Sequence, residues 1–268
     1  MTPAPAASGA RTGAPLSDLP AALRDEPALA QVLGRSSATL AVPESARALV
    51  TAGLSRLTKR RPIVLAVPTS TEAERVAHDL AAFLGDEAVE LFPAWETLPF
   101  ERVSPGVETM GRRLRVLWRL HEPERAPAVV VASVRALVQR LGPHVDDVAP
   151  IAVRPGLQID RDDLVGDLVA AGYRREEMVE HRGELAVRGS IVDVFPSTAD
   201  RPVRIDLWGD EVDRLTEFSV SDQRSTDGLD EVLLFPCREL LPTDEVRERA
   251  ERLIGLEPWG REQWERLA

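Results

Sequence analysis

A chain of 268 residues, 44% hydrophobic and 29% charged, is long enough for one large core or two modest ones. It has no apolar run of the roughly 18 residues a membrane span needs, and its formal net charge of −11 speaks against a protein whose main work is to cover phosphate backbone. The single cysteine, Cys237, rules out an internal disulfide and a cysteine-rich metal site, and in the strand-like run from Glu231 it is expected as a small buried residue.

The Ala/Pro/Ser/Gly-rich start lacks the apolar centre of a signal peptide, so residues 1–20 are expected as a disordered tail of a cytoplasmic protein. The apolar run Ala38 to Val42 then predicts a strand, and Ala46, Leu49, Val50, Leu54 and Leu57, three or four apart, predict a helix. The unit repeats. Ile63 to Val67 predicts a strand, Ser70 and Thr71 are candidate N-caps with Glu72 and Glu74 in the first turn, and Ala73, Val76, Leu80, Phe83 and Leu84 share a face. A short strand, Ala88 to Phe92, leads through a proline-punctuated stretch to a helix with Met110, Leu114, Leu117 and Trp118 on one side. The run Ala128 to Ala132 follows, with Ser133 placed to cap a helix Val134 to Leu141. Such alternation, at spacings too long for hairpins, predicts a three-layer α/β unit with a parallel sheet over about residues 35–145.

After His144 the pattern changes. A strand near Ile151 to Arg154 and a helix capped by Asp160, carrying Leu164, Leu168 and Val169, precede strands that follow one another directly. Leu185 and Val187 alternate with Ala186 and Arg188, and the phase changes beyond Gly189 to Val192 and Val194, which suggests a bulge or bend. Val203, Ile205 and Leu207 alternate with Arg204, Asp206 and Trp208, and Gly209-Asp210 is a two-residue hairpin turn into Glu211 to Val220. This is an antiparallel α+β pattern. A polar helix, Asp244 to Leu253, follows.

A nucleotide would sit at the first strand-to-helix turn, Val42-Pro43-Glu44-Ser45-Ala46-Arg47. That turn has no glycine and no lysine, the chain's one lysine being Lys59, and Glu44 places negative charge where a polyphosphate would go. No catalytic, cofactor or metal site is therefore expected. His78, His121, His144 and His181 have no ligand-spaced partner, and the pairs Asp146-Asp147, Asp162-Asp163 and Glu176-Glu177 read as solvated or as helix first turns. What remains is arginine: Arg174, Arg175 and Arg182 flank the strand that leads to Arg188. They form either a solvated strand face or a docking face for carboxylates, and composition does not choose. Arg112, Arg113, Arg115 and Arg119, on the helix before, similarly face either DNA or solvent.

The run Arg182-Gly183-Glu184-Leu185-Ala186-Val187-Arg188-Gly189-Ser190-Ile191-Val192-Asp193-Val194-Phe195-Pro196, with Val203-Arg204-Ile205-Asp206-Leu207-Trp208-Gly209-Asp210-Glu211, resembles the domain 2 signature shared by UvrB and the Mfd family of transcription-repair coupling factors. Leu91-Phe92-Pro93-Ala94-Trp95-Glu96-Thr97-Leu98-Pro99-Phe100 and Ser219-Val220-Ser221-Asp222-Gln223-Arg224-Ser225 are similar to the Mfd pattern in particular. UvrB itself carries a working phosphate loop and a tyrosine-rich hairpin, whereas the only tyrosine here is Tyr173, far from that place.

The resemblance implies a RecA-like, helicase-like parallel domain with a degenerate phosphate loop (residues 21–147) and an inserted antiparallel UvrA-interaction domain (148–236). Residues 237–268 would begin the second half of the helicase-like domain. It implies UvrA as partner, contacted by Arg174, or by Arg175 under a one-residue shift, and by Arg188, with Ile191 and Phe195 as further contacts; Ala186 stands where UvrB has an arginine. It also implies that the chain is a fragment. The RNA-polymerase contacts, the DNA translocase with its ATP and magnesium, and the domain that masks the UvrA surface would all lie outside it. The alternative within the resemblance is a UvrB-like ATPase and helicase subunit of the excision nuclease.

Overall fold

The computed structural model describes residues 16–58, 61–98, 101, 103–142, 145, 148–241 and 243–265. Residues 1–15 of the expected tail, Lys59, His144 and the Asp146-Asp147 pair lie outside the described residues. The chain divides into two compact units, Met1–Ala94 with Arg119–Val138, and Trp95–Trp118 with Gln139–Ala268.

The first unit opens with two short helices, α1 (Leu19–Ala22) and α2 (Pro27–Val32), so the last residues expected in the tail are folded; Leu16 N–H donates to Ala82 O. No strand forms at Ala38 to Val42, which runs as irregular chain without a sheet partner into α3 (Arg47–Leu57). Three parallel strands follow in the order β1-β3-β2: β1 (Ile63–Val67), β2 (Val89–Phe92) and, after helix α5 (Val107–His121), β3 (Val129–Ser133). Between β1 and β2 runs α4 (Ser70–Leu84), capped by Thr69, whose Oγ1 accepts from Glu72 N–H at 3.2 Å, rather than by Ser70 or Thr71. Gly85, at φ +90°, ends it.

The central strand β3 is buried along its whole length, as expected of a β-branched run inside a parallel sheet. Ala48 and Ala52 of α3 and Ala73, Val76 and Leu80 of α4 pack with Val129 and Val131 into this unit's core. Ser133 Oγ accepts from Ala136 N–H as the cap of α6, which is shorter than expected (Val134–Val138).

The second unit is built on a six-stranded sheet of order β10-β9-β8-β7-β6-β5. The strands are β5 (Arg174–Arg175), β6 (Glu184–Arg188), β7 (Ile191–Val194), β8 (Val203–Trp208), β9 (Glu211–Phe218) and β10 (Ser225–Gly228), antiparallel throughout except for the β5–β6 pair. A two-stranded sheet of β4 (Ile151–Val153) and β11 (Val232–Leu234), the helix α7 (Arg161–Ala170), and the C-terminal helices α8 (Asp244–Leu256) and α9 (Arg261–Glu265) complete it. Asp160 caps α7, accepting from Asp162 and Asp163 N–H at 2.7 and 3.1 Å.

The period-two pattern does its expected work on one face. Leu185, Val192, Val194, Val203, Ile205 and Leu215 point into a core closed by Leu164 and Leu168 of α7. Gly189, at φ +62°, proves to be the turn of the β6–β7 hairpin rather than a bulge, so the phase change of the alternation is a change of strand. Gly209, at φ +63°, turns β8 into β9. Tyr173 ties the unit together: its hydroxyl donates to Phe235 O at 2.9 Å and accepts from Ser197 N–H at 3.3 Å. Burial raises its pKa, and burial pushes the neighbouring Cys237 thiol up to about 12.

The α5 arginines do not form a free cationic stripe. Arg113 is fully buried, ion-paired with Glu239 and lying 5.2 Å over the Trp95 ring, whose Nε1–H also donates to Glu239 at 2.9 Å. Arg112 pairs with Glu108 one turn earlier, and Arg119 with Glu90 at 2.6 Å.

Candidate functional site

The second face of the six-stranded sheet carries Arg174 and Arg188 among the arginines the sequence leaves unexplained. Register fixes which side chains share it. One row across the strands is Ala186, Asp193, Arg204 and Thr216; the next is Arg188, Ile191, Asp206 and Arg214. Trp208 lies two residues beyond Asp206, on the same side.

One end of this face is closed. Val179, Ala186, Phe195 and Phe218 form a small apolar cluster, so Phe195, expected as a contact residue, is buried beneath it with Arg182 stacked 5.4 Å away. Arg182 is also held by Ala199 O and Asp200, both at 2.8 Å, and is spent on structure. In the middle, the buried Asp193 takes both forks of Arg204 at 2.7 and 2.8 Å. Arg204 lies 4.9 Å over the Phe218 ring, and its hydrogen bond to Asp193 raises its pKa further.

The other end is open. Arg188 is exposed there at the end of β6, opposite a half-buried Ile191, whereas Arg175, exposed on the edge strand β5, sits in register with Leu185 and so lies on the sheet's other face. Among the described residues neither arginine has an ion-pair partner. Arg174 is exposed on the same face as Arg188 but at the Glu184 end of β6, loosely tied at 3.3 Å to Glu184, whose other oxygen accepts from Glu180 and His181 N–H and so closes the preceding loop. The β6–β7 turn is fixed from outside by Arg161, which donates to Gly189 O at 2.8 Å. Arg174 and Arg188 thus share one face from the two ends of β6, Arg175 lies on the opposite face, and Phe195 is buried rather than part of an exposed surface.

Two features of this face escaped sequence reasoning. The Asp193–Arg204 pair was hidden because both residues alternate like ordinary outward polar positions; only the register sets them opposite. Trp208, 84% exposed, was legible as an aromatic at a position where the alternation calls for a polar residue.

The loop of the first unit has a different character. Arg75 pairs with Glu44, holding that carboxyl below its usual range, and Arg47 pairs with Glu72 in the first turn of α4. Its charges are satisfied internally.

Residues 151–240, which carry the whole six-stranded sheet, match the family described as the UvrB interaction domain. The chain is 44% identical over 227 residues to a transcription-repair-coupling factor of Mycobacterium bovis, covering 82% of the chain and 18% of that protein. It is 37% identical over 207 residues to the Bacillus subtilis factor (77% and 17%) and 34% over 186 residues to the Escherichia coli factor (69% and 16%). The chain therefore spans less than a fifth of the length of these relatives. With the UvrB interaction domain embedded in a longer stretch of similarity to these factors, the chain belongs to the transcription-repair coupling factor family, as its amino-terminal UvrB-like region.

Proposed function

We propose that this region recruits UvrA through the open end of the second unit's sheet and handles no nucleotide itself. The observation that carries the reading is Arg188, exposed at the open end without an ion-pair partner among the described residues, on the sheet that matches the UvrB interaction domain. A guanidinium fork recognises a carboxylate bidentately, and one left without an internal partner gains most from an external one. Arg174, on the same face, joins it by exchanging its loose contact with Glu184, and Ile191 supplies an apolar contact beside Arg188. Phe195 acts from beneath, as packing that holds β7.

The first unit is a helicase-like relic with a degenerate phosphate loop. Support comes from the ion pairs at the loop before α3: with Glu44 on Arg75 and Arg47 on Glu72, neither cation is free for a phosphate. In the full-length protein, RNA-polymerase contacts and ATP- and magnesium-driven translocation on DNA belong to other segments, and the whole works in the cytoplasm. Titration of purified UvrA with the chain tests the reading. Saturable binding is expected, and Arg174→Ala with Arg188→Ala should weaken it about 30-fold, the cost of losing central interface arginines. Equal affinity of the double variant would refute the assignment.

A further inference from the structure

The open end of the face carries a side chain that the fold does not use. Trp208 ends β8 at the Gly209-Asp210 turn, and 84% of it is exposed. Among the described residues its ring meets no other aromatic or arginine, and its Nε1–H has no acceptor. The adjoining hairpin turn is next to it: Leu207 N–H donates to Ser190 O at 3.0 Å. Trp208 therefore shares one face and one end of the sheet with Ile191 and Arg188, beside two neighbouring turns.

We infer that Trp208 is the apolar anchor of the docking face. Its indole seats in an apolar pocket of the partner protein, with a carbonyl or carboxylate there accepting from Nε1–H. The inference rests on the UvrA reading and adds to it the residue on which affinity centres. Large aromatics dominate protein interfaces because they bury much area at little entropic cost, and tryptophan adds a donor at the end of its ring. The charges around the ring define the occupant. Arg188 calls for a carboxylate, Asp210 and Glu211 repel a phosphate backbone although Glu211 also accepts from Gln158, and Arg214 and Asp206 pair with each other at 3.9 Å as a polar rim. A protein surface with an apolar pocket and a mixed-charge rim satisfies both; a nucleic acid satisfies neither carboxylates nor pocket.

Calorimetric titration of UvrA with four forms of the whole chain tests this: wild type, Arg188→Ala, Trp208→Ala and Trp208→Phe. Trp208→Ala should weaken binding by about 30-fold or more at an unchanged melting temperature, and Trp208→Phe should stay within about fivefold of wild type because it keeps the apolar ring. Wild-type affinity in Trp208→Ala alongside a loss in Arg188→Ala would overturn the anchor while leaving the arginine reading intact. No binding by the wild type would instead refute the UvrA reading, and the anchor with it. Two further results would assign the ring to another occupant and overturn the inference: self-association of the chain, or binding of single-stranded DNA, abolished by Trp208→Ala while UvrA affinity is kept.

Discussion

Replacing Asp193 by alanine should damage the second unit far more than an outward-alternating strand residue suggests. The Asp193 side chain is 1% exposed and that of Arg204 17%, and the two are joined by parallel bonds of 2.7 and 2.8 Å. Removing the carboxylate strands a largely desolvated guanidinium over Phe218, with only Gln223 O at 3.4 Å to share its protons. A buried pair broken from one side costs about 3 kcal/mol, whereas replacing both partners by apolar groups is close to neutral. Asp193→Ala should therefore cost about 3 kcal/mol, and Asp193→Ala with Arg204→Met about 1 kcal/mol, a coupling of at least about 2 kcal/mol. Tryptophan fluorescence during urea unfolding reads this unit alone, because all five tryptophans, Trp95, Trp118, Trp208, Trp259 and Trp264, lie within it. Additive losses in the double variant, or a loss below about 1 kcal/mol in Asp193→Ala, would refute the reasoning.

Gly111→Ala should lower the unfolding free energy read by the same assay by about 2 kcal/mol or more, since a Cβ there would meet Ser197 Cβ at 2.6 Å and its Oγ at 2.3 Å; an unchanged midpoint would contradict that packing. Stability should be fully present below about pH 8.5, the unfolded thiol's range, and fall as pH rises toward 12, because folding holds Cys237 and Tyr173 protonated and ionisation favours the unfolded chain. Urea midpoints at pH 8 and pH 10.5 measure the slope, which Cys237→Ala with Tyr173→Phe should flatten; an equal slope in that variant would contradict the assignment. A fluorescent ATP analogue should show no saturable binding up to about millimolar concentration, because the turn at Glu44 lacks the amide cradle and lysine that phosphates require. Micromolar affinity would contradict it.

Much of this fold was legible because its signals are local. The alternation of Val203, Ile205 and Leu207, the Gly209-Asp210 turn and the Asp160 cap each depend on a few consecutive residues, and the structure has them as expected. The apolar run Ala38 to Val42 failed as a strand because a strand needs a partner, which apolarity does not supply. The site was legible by residue type and only partly by role. Arg182 and Arg188 look alike in sequence, but Asp200 and Phe195 occupy the first and nothing described occupies the second. Arg113 reads as a surface residue until Glu239, 126 positions later, is brought against it. Phe195 and Ala186 are covered because Val179 and Phe218 arrive from other parts of the chain, information no alternation pattern contains.

Hydrogen exchange of the whole chain with and without saturating UvrA tests most directly where the working surface lies. Slowed exchange is expected at Arg174 and Arg175, through the Gly189-Ser190 turn and along the β8–β9 tip at Trp208, with no change in α3 and the preceding loop at Glu44. Protection confined to that loop and α3, with the second unit's sheet exchanging as in the free chain, would contradict it.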